Sequence, residues 1–206
     1  MIRNRIEAGQ LLAEKLLALD IKEPLVLAIP RGGVIVGHEI ANKLRCKLDI
    51  VISKKITPPD NPEFGIGAIT YDGTLYKGEY WNYYSNNAKF DDEVTKKRKE
   101  VKRRLEEYRG TTDYKLEKNA VILVDDGIAT GSTVFAILDW LFNQKSKKIL
   151  LAIPVIPAST YRILEKKISS IITLEIPTEF SAVGQFYEQF DQVSDKEVKE
   201  ILLAYK

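Results

Sequence analysis

Asp125 and Asp126 stand side by side and are followed at once by Gly127-Ile128-Ala129 and by Thr130-Gly131-Ser132-Thr133. Adjacent carboxylates accept hydrogen bonds from vicinal hydroxyls or, through water, hold Mg²⁺. Small and hydroxyl-bearing residues bring backbone N–H groups and side-chain donors close to an anion. The chemistry these types suit is the binding of a sugar phosphate. For both halves to act on one ligand, the acids must end a strand and the hydroxyls must begin a helix. The flanking sequence supplies both. Val121-Ile122-Leu123-Val124 is an apolar run of strand length, and Val134, Ile137, Leu138, Leu141 and Phe142 recur at helical spacing. A helix beginning near Thr130 to Thr133 turns its free N–H groups and the positive end of its dipole onto one point. A buried strand capped by a single aspartate would explain Val121 to Val124 and one acid, but not both acids together with the Thr-Gly-Ser-Thr.

The rest of the chain reads as a frame for that segment. Ile6, Leu12, Leu16 and Leu19 line one side of a first helix, broken by Lys22-Glu23-Pro24. Leu25 to Ile29 is a buried strand ending at Pro30-Arg31-Gly32-Gly33, and a second helix carries Val34, Ile35, Ile40, Ala41 and Leu44. A strand over Leu48 to Ser53 ends at Lys54-Lys55. Beyond the central motif come a strand at Lys148 to Ile153, a short helix at Ala158 to Lys167 and a fifth strand at Ser169 to Leu174. Strands alternating with helices predict right-handed βαβ units, hence an α/β fold with a doubly wound, mostly parallel five-stranded sheet. Ligands of such sheets bind beyond the carboxyl ends of the strands, so the loops after Ile29, Ser53 and Val124 are expected to face one crevice.

Two regions interrupt the rhythm. Between residues 56 and 110, Thr57-Pro58-Pro59-Asp60-Asn61-Pro62 cannot be regular structure, and Gly65 to Tyr76 reads as a hairpin turning at Asp72-Gly73. Phe90 to Arg109 is a long helix with a thin apolar stripe, Phe90, Val94, Val101, Leu105 and Tyr108. Its Lys and Arg residues alternate with Glu93, Glu100, Glu106 and Glu107, the pattern of a solvated face with i,i+4 ion pairs. Residues 177–187 are irregular and aromatic, and a last helix carries Val198, Ile201, Leu202 and Tyr205. His38, the one histidine, falls at a surface or partly buried helix position.

The segment from Val121 to Thr133 resembles the phosphoribosyl-pyrophosphate (PRPP) motif of type I phosphoribosyltransferases: an apolar strand, two acids, three spacers ending in a small residue, then Thr-Gly-x-Thr. The resemblance implies that Asp125 and Asp126 hold the ribose hydroxyls of PRPP, with Mg²⁺ as cofactor bound mainly by PRPP itself. It implies that Ala129, Thr130, Gly131, Ser132 and Thr133 anchor the 5′-phosphate. In that family the first-strand loop holds pyrophosphate, often through a strained peptide bond, which puts this role on Arg31, Gly32 and Gly33. Lys54 and Lys55 look like the family's basic pair at the root of a flexible loop. The insertion after it corresponds to the catalytic lid, with Glu63 and Phe64 in the closing segment, and a lid excludes water from an unstable ribosyl cation. Phe180, Phe186 and Tyr187 would belong to a hood that covers the base by stacking. The tail, with Ala182-Val183-Gly184 and Tyr187-x-x-Phe190, is similar to a poorly characterised branch of bacterial and archaeal members, so the resemblance spans nearly the whole chain as one domain. Its core would be 20–56 and 118–175, with the lid and long helix over 56–110 and the hood and last helix over 176–206.

Members acting on 6-oxopurines commonly carry an acid where this chain has Ala129. The departure speaks against hypoxanthine or guanine and leaves adenine-like, pyrimidine or unfamiliar bases open. Two other readings stay open: a non-catalytic PRPP-binding regulator, and a response-regulator-like domain using Asp125-Asp126 as phosphoacceptor. Thr-Gly-Ser-Thr at a helix start counts against the latter. With 206 residues the chain can bury one core. Lys+Arg 31 against Asp+Glu 29 gives no global pull toward nucleic acid. A single cysteine, Cys46, excludes an intrachain disulfide and suits a reducing cytoplasm, and neither a signal-peptide core nor a bilayer-length apolar run is present. Dimers are common in the family, so a homodimer is expected as well.

Overall fold

The structure, a computed structural model, describes residues 1–206 except 59–60, 62–63, 86–87, 169 and 206, and for residues 88 and 89 the backbone alone. In chain order the first elements are α1 (Arg5–Leu17), β1 (Pro24–Ala28), α2 (Gly32–Leu44), β2 (Lys47–Ile50), β3 (Ser53–Ile56), β4 (Gly67–Thr70) and β5 (Leu75–Lys77). They are followed by α3 (Trp81–Tyr84), α4 (Ala88–Arg109), β6 (Ala120–Val124), α5 (Ser132–Phe142), β7 (Lys148–Val155), α6 (Ala158–Leu164), β8 (Ile171–Glu175) and α7 (Asp195–Leu203). The chain divides into two compact units, one of residues 1–51, 115–130 and 146–206, the other of 52–114 and 131–145.

The first unit holds a five-stranded sheet in the order β2-β1-β6-β7-β8. Every pairing in it is parallel, so the sheet is wholly rather than mostly parallel. The inner strands β1, β6 and most of β7 are continuous apolar runs, as strands covered on both faces require, and Val121 to Val124 are fully buried; the edge strands differ, β2 alternating as Lys47-Leu48-Asp49-Ile50 and β8 being half-buried. β7 continues past the expected end at Ile153 through Pro154, which lies beyond the last β6 partner of the strand, Ala152, and so breaks no bond of that ladder. From β1 the chain crosses to β2 on one side, whereas β6 leads on to β7 and β8 on the other. The strand order therefore reverses between β1 and β6, and in open parallel sheets the carboxyl ends of the strands at such a reversal are where ligands bind.

α1 buries Ala8, Gly9, Leu12, Ala13 and Leu16. Ile6 and Leu19 are exposed, so the apolar stripe is narrower than the sequence pattern suggests, its small residues allowing close approach to α2. The Asn4 side chain caps α1 by accepting the Glu7 N–H at 3.0 Å, and Ser194 with Glu197 forms a capping box at the start of α7. α7 is tied to α2 by Tyr205, whose hydroxyl lies 2.9 Å from His38 Nδ1 and donates to Asn42 Oδ1 at 2.9 Å. The only histidine thus braces two helices. Among the described residues no helix is long and apolar enough to cross a membrane.

The second unit is built on a three-stranded antiparallel sheet, β3-β4-β5. Here the sequence pattern misleads: the expected strand Leu48 to Ser53 is two strands, β2 in the parallel sheet and β3 in this one, and Lys54 and Lys55 lie inside β3 rather than after a core strand. Nothing in Val51-Ile52 marks the break, since both residues are apolar and buried and neither is glycine or proline. The expected hairpin forms, with Gly73 at φ +100° and Asp72 Oδ1 accepting from the Thr74 N–H at 3.0 Å. α4 buries Phe90, Val101, Leu105 and Tyr108, and its charged face carries the i,i+4 pairs Glu93–Lys97 and Arg103–Glu107. Within this unit α5 packs on all three strands. Phe135 stacks on Tyr76 at 4.8 Å, Trp140 meets Tyr71 and Tyr114, and Phe142, expected on the apolar face, is exposed.

Candidate functional site

The acidic pair leaves the end of β6 in the first unit. The Ile29 N–H donates to the Val124 carbonyl at 2.8 Å, which holds the β1 loop against the root of the pair. Contact there is close enough to exclude a side chain. A Cβ on Gly32 would stand 1.8 Å from Asp126 Oδ2, and one on Gly33 2.9 Å from Asp125 Cα. Two glycines are thus the condition for bringing the β1 loop over the carboxylates. The Pro30–Arg31 peptide bond in that loop is cis. The Arg31 side chain is partly exposed and lies 3.6 Å from Asp195 at the start of α7.

The two acids have different surroundings. Asp125 Oδ1 accepts the N–H of Asp126 at 2.8 Å. Burial and then the charge of Asp126 push the Asp125 carboxyl well above the usual carboxylate range. Asp126 Oδ2 accepts the Nε–H of Arg5 at 2.6 Å, and the Asp126 carbonyl accepts the Tyr187 hydroxyl at 2.7 Å. Burial, followed by the nearby Asp126 charge, drives the Tyr187 phenol far above its ordinary value, so it stays a donor. Arg5 is not legible as a site residue in the sequence. One local signal exists: a cation in the first turn of α1 opposes the helix dipole by a few tenths of a kcal/mol, a misfit that points to a tertiary partner.

Of the aromatic trio, Phe180 and Phe186 stack on each other at 5.7 Å, whereas Tyr187 is buried and works through its hydroxyl. All three pack against a cluster of Ile2, Ala8 and Val155, so they are partly core. The N-terminus fastens this region: the Ile2 N–H donates to the Phe186 carbonyl, and Ile2 and Arg3 carbonyls accept from Glu188 and Gln189, each at 2.9 Å. A cavity of about 340 Å³ lies between Ala129-Thr130 and Phe180-Ser181, with Ser159, Thr160 and Thr178 also on its wall. Its lining carries no charge and is rich in hydroxyls, with the Phe180 ring as its aromatic face. Thr160 donates to the Ala129 carbonyl at 2.8 Å and so fixes the motif loop at one edge.

In the second unit Gly131 takes φ +79° as the N-cap of α5, a conformation that favours glycine, and Ser132 is buried behind it. Ser53 Oγ donates to the Thr133 carbonyl at 3.0 Å, which sets one face of β3 beside the start of α5. Lys55 shares that strand face with Ser53 and is exposed; Lys54 is on the opposite face, paired with Glu100 of α4. The Lys54 hydrogen bond holds the Glu100 carboxyl below its usual range. Phe64 packs edge-on against Tyr80 and Tyr84 at 5.2 and 6.2 Å, while Glu63 lies outside the described residues.

Among the described residues no group of three or more His, Cys, Asp or Glu side chains could hold a metal ion. Two carboxylates, one of them engaged by Arg5, suit Mg²⁺ that takes most of its oxygen ligands from substrate and water.

The phosphoribosyl transferase domain family model matches residues 3–191. Two provisionally named phosphoribosyl transferases of Mycobacterium tuberculosis, from strains CDC 1551 and H37Rv, are each 35% identical over 198 residues, 95% of this chain and 45% of their own length. The chain spans about half the length of these curated relatives. Among solved structures, TT1426 from Thermus thermophilus is 36% identical with a TM-score of 0.83, covering 99% of this chain and 98% of that one. A purine phosphoribosyltransferase from Pyrococcus horikoshii shares 13% identity, a TM-score of 0.51 and 93% of each chain, a likeness of fold alone.

Proposed function

The chain belongs to the phosphoribosyltransferase family, and from that premise we propose that it transfers the phosphoribosyl group of PRPP to a nitrogenous base with release of pyrophosphate. The observation that carries the reading is the acidic pair beneath Gly32, at the point where the strand order reverses. In this reaction the bond from C1 of the ribose to the pyrophosphate oxygen breaks and its electron pair leaves with pyrophosphate. A ring nitrogen of the base forms the new bond to C1, and its proton passes to the departing pyrophosphate or to solvent water. Asp125 and Asp126 accept hydrogen bonds from the ribose hydroxyls, and Ala129 to Thr133 anchor the 5′-phosphate. Fixing the sugar in this way supplies the orientation on which the rate depends. Arg31, the amides of Gly32 and Gly33, and Lys55 rather than Lys54 stabilise charge on the departing pyrophosphate. Mg²⁺, bound by PRPP oxygens and through water by the two aspartates, would neutralise part of that charge.

The hydroxyl-lined cavity beside Ala129 suits an uncharged base stacked on Phe180 and held by its edges. Glu63 and Phe64 belong to the lid in this reading, and Phe186 backs the base-stacking ring. Cytoplasmic location and a homodimer accompany it, to be checked by fractionation and light scattering. Pyrophosphate and nucleotide measured with PRPP, Mg²⁺ and a panel of bases test the proposal: release with at least one base, lost in Asp126→Asn, supports it. A second reading, a regulator that binds PRPP without turnover, is favoured by one observation. Arg31 and Lys54, two of the cations suited to pyrophosphate, are already near carboxylates. Tight PRPP binding with no turnover on any base would select it.

A further inference from the structure

Arg5 is a charged side chain beside the acidic pair that the reaction, as written, leaves without a role. Its guanidinium is fixed on three sides: Nε donates to Asp126 Oδ2 at 2.6 Å, Nη1 donates to the Asp191 carbonyl at 2.8 Å, and its central carbon lies 3.8 Å from the centre of the Phe190 ring. The Arg5 and Asp126 side chains are 12% and 17% exposed. Arg5 opens α1, and the residues just before it are paired with 186–189, so the segment before α1 and residues 186–191 meet at this one guanidinium. Charge-assisted bonds with a fixed donor fork dictate the orientation of the acceptor.

Asp126 is held on its other sides too. Its carboxylate lies against Gly32, its carbonyl accepts from Tyr187, and its N–H is given to Asp125. Arg5 engages the one part of Asp126 that would otherwise turn about its side-chain bonds. A carboxylate has about four acceptor positions, so one held oxygen still leaves sites for a ligand hydroxyl.

We propose that Arg5 is a positioning residue for the sugar: by holding Oδ2 of Asp126 it sets the plane of the carboxylate that meets the vicinal hydroxyls of a ribose 5-phosphate moiety, and so makes the site selective for that diol. The inference rests on the reading of Asp125-Asp126 as the ribose site. A site built to receive a hydroxyl discriminates strongly against the analogue that lacks it, provided its acceptor is held in place. A guanidinium serving only to fold the chain would instead change affinity for every ligand of the site together.

The test is calorimetric titration of ribose 5-phosphate, its 2-deoxy and 3-deoxy analogues, and inorganic phosphate into the wild type and Arg5→Met. The wild type is expected to bind ribose 5-phosphate at least about tenfold more tightly than one of the deoxy analogues. Arg5→Met is expected to bring that ratio within about threefold while leaving the affinity for inorganic phosphate unchanged. Arg5→Lys keeps the charge but cannot bridge Asp126 and Asp191 at once, and an intermediate ratio is expected. Phe190→Leu removes the ring beneath the guanidinium and serves as the independent variant should Arg5→Met not fold. Full discrimination retained in a folded Arg5→Met, or in both Arg5→Lys and Phe190→Leu, overturns the proposal. A wild type indifferent to the hydroxyls fails differently: it removes the ribose reading itself, and the role of Arg5 with it.

Discussion

Of the ion pairs that link distant parts of the chain, Arg5–Asp126 and Lys54–Glu100 differ in what they hold. Arg5 and Asp126, 121 residues apart, sit in the first unit within a mesh that includes Tyr187, Asp191, Phe190 and the β1 loop. Lys54 and Glu100 join β3 to α4 in the second unit, and their side chains are about twice as exposed, 32% and 30%. In the first, each added contact narrows the geometry of a carboxylate proposed to meet the ribose hydroxyls. In the second, a lysine suited to pyrophosphate is taken up in fastening a helix. Residue type alone does not separate these cases; the number of independent constraints on the charged atom does.

The contrast is broken most severely at Gly32. Gly32→Ala must displace Asp126 or the β1 loop, and a loss of about 1–3 kcal/mol in stability is expected together with at least about a 100-fold loss of PRPP affinity or turnover. Gly65→Ala in the second unit is the control, since its new Cβ would meet only the flexible Lys55 side chain at 3.4 Å. Chemical denaturation and PRPP titration of the two variants measure the difference, and equal losses would mean that the acidic pair is not tightly framed.

Asp125 also ties stability to pH. Because burial and Asp126 raise the Asp125 carboxyl in the folded state, folding favours its protonated form. That contribution is complete below the ordinary carboxylate pKa of about 3.9 and is lost as pH rises through the raised folded value. Asp125→Asn, neutral at every pH, is expected to be more stable than the wild type above that window and to lack this part of the pH dependence, at the expense of ribose binding. Thermal unfolding across pH, without ligand or Mg²⁺, checks the sign.

Tyr187→Phe removes one buried donor from the Asp126 carbonyl and is expected to cost about 1–3 kcal/mol of stability, with PRPP affinity falling several-fold. Lys54→Met should cost less than about 1 kcal/mol, as befits a partly exposed pair, and leave kcat for any accepted base within about threefold. Denaturation midpoints and initial rates measure both. A large kinetic defect in Lys54→Met with normal Lys55→Met would reverse the assignment of these two lysines.

What can be read from sequence follows the same division. Val121 to Thr133 is legible because strand, acids and helix start are consecutive and each has a local signature. The inner core strands β1, β6 and β7 are legible as apolar runs, for strands buried on both faces leave little room for polar residues, whereas the edge strand β2 alternates as Lys47-Leu48-Asp49-Ile50. Arg5 is not, since its partner is 121 residues away and only a slight conflict with the helix dipole marks it. The division of Lys47 to Ile56 into strands of two different sheets is hidden because Val51-Ile52 carries no turn chemistry. Tyr187 looks like a stacking ring in the sequence, and only its depth and its bond to Asp126 show a hydroxyl at work.

Transfer at C1 of the ribose has a direct spectroscopic signature. PRPP labelled with ¹³C at C1, incubated with the protein, Mg²⁺ and a panel of bases, can be followed by NMR. Conversion of the C1 resonance to that of an N-glycosidic carbon is expected with at least one base, together with equimolar pyrophosphate, and no conversion is expected with Asp126→Asn. A C1 signal that changes no faster than in buffer with every base, despite saturating PRPP binding, would contradict transfer at C1.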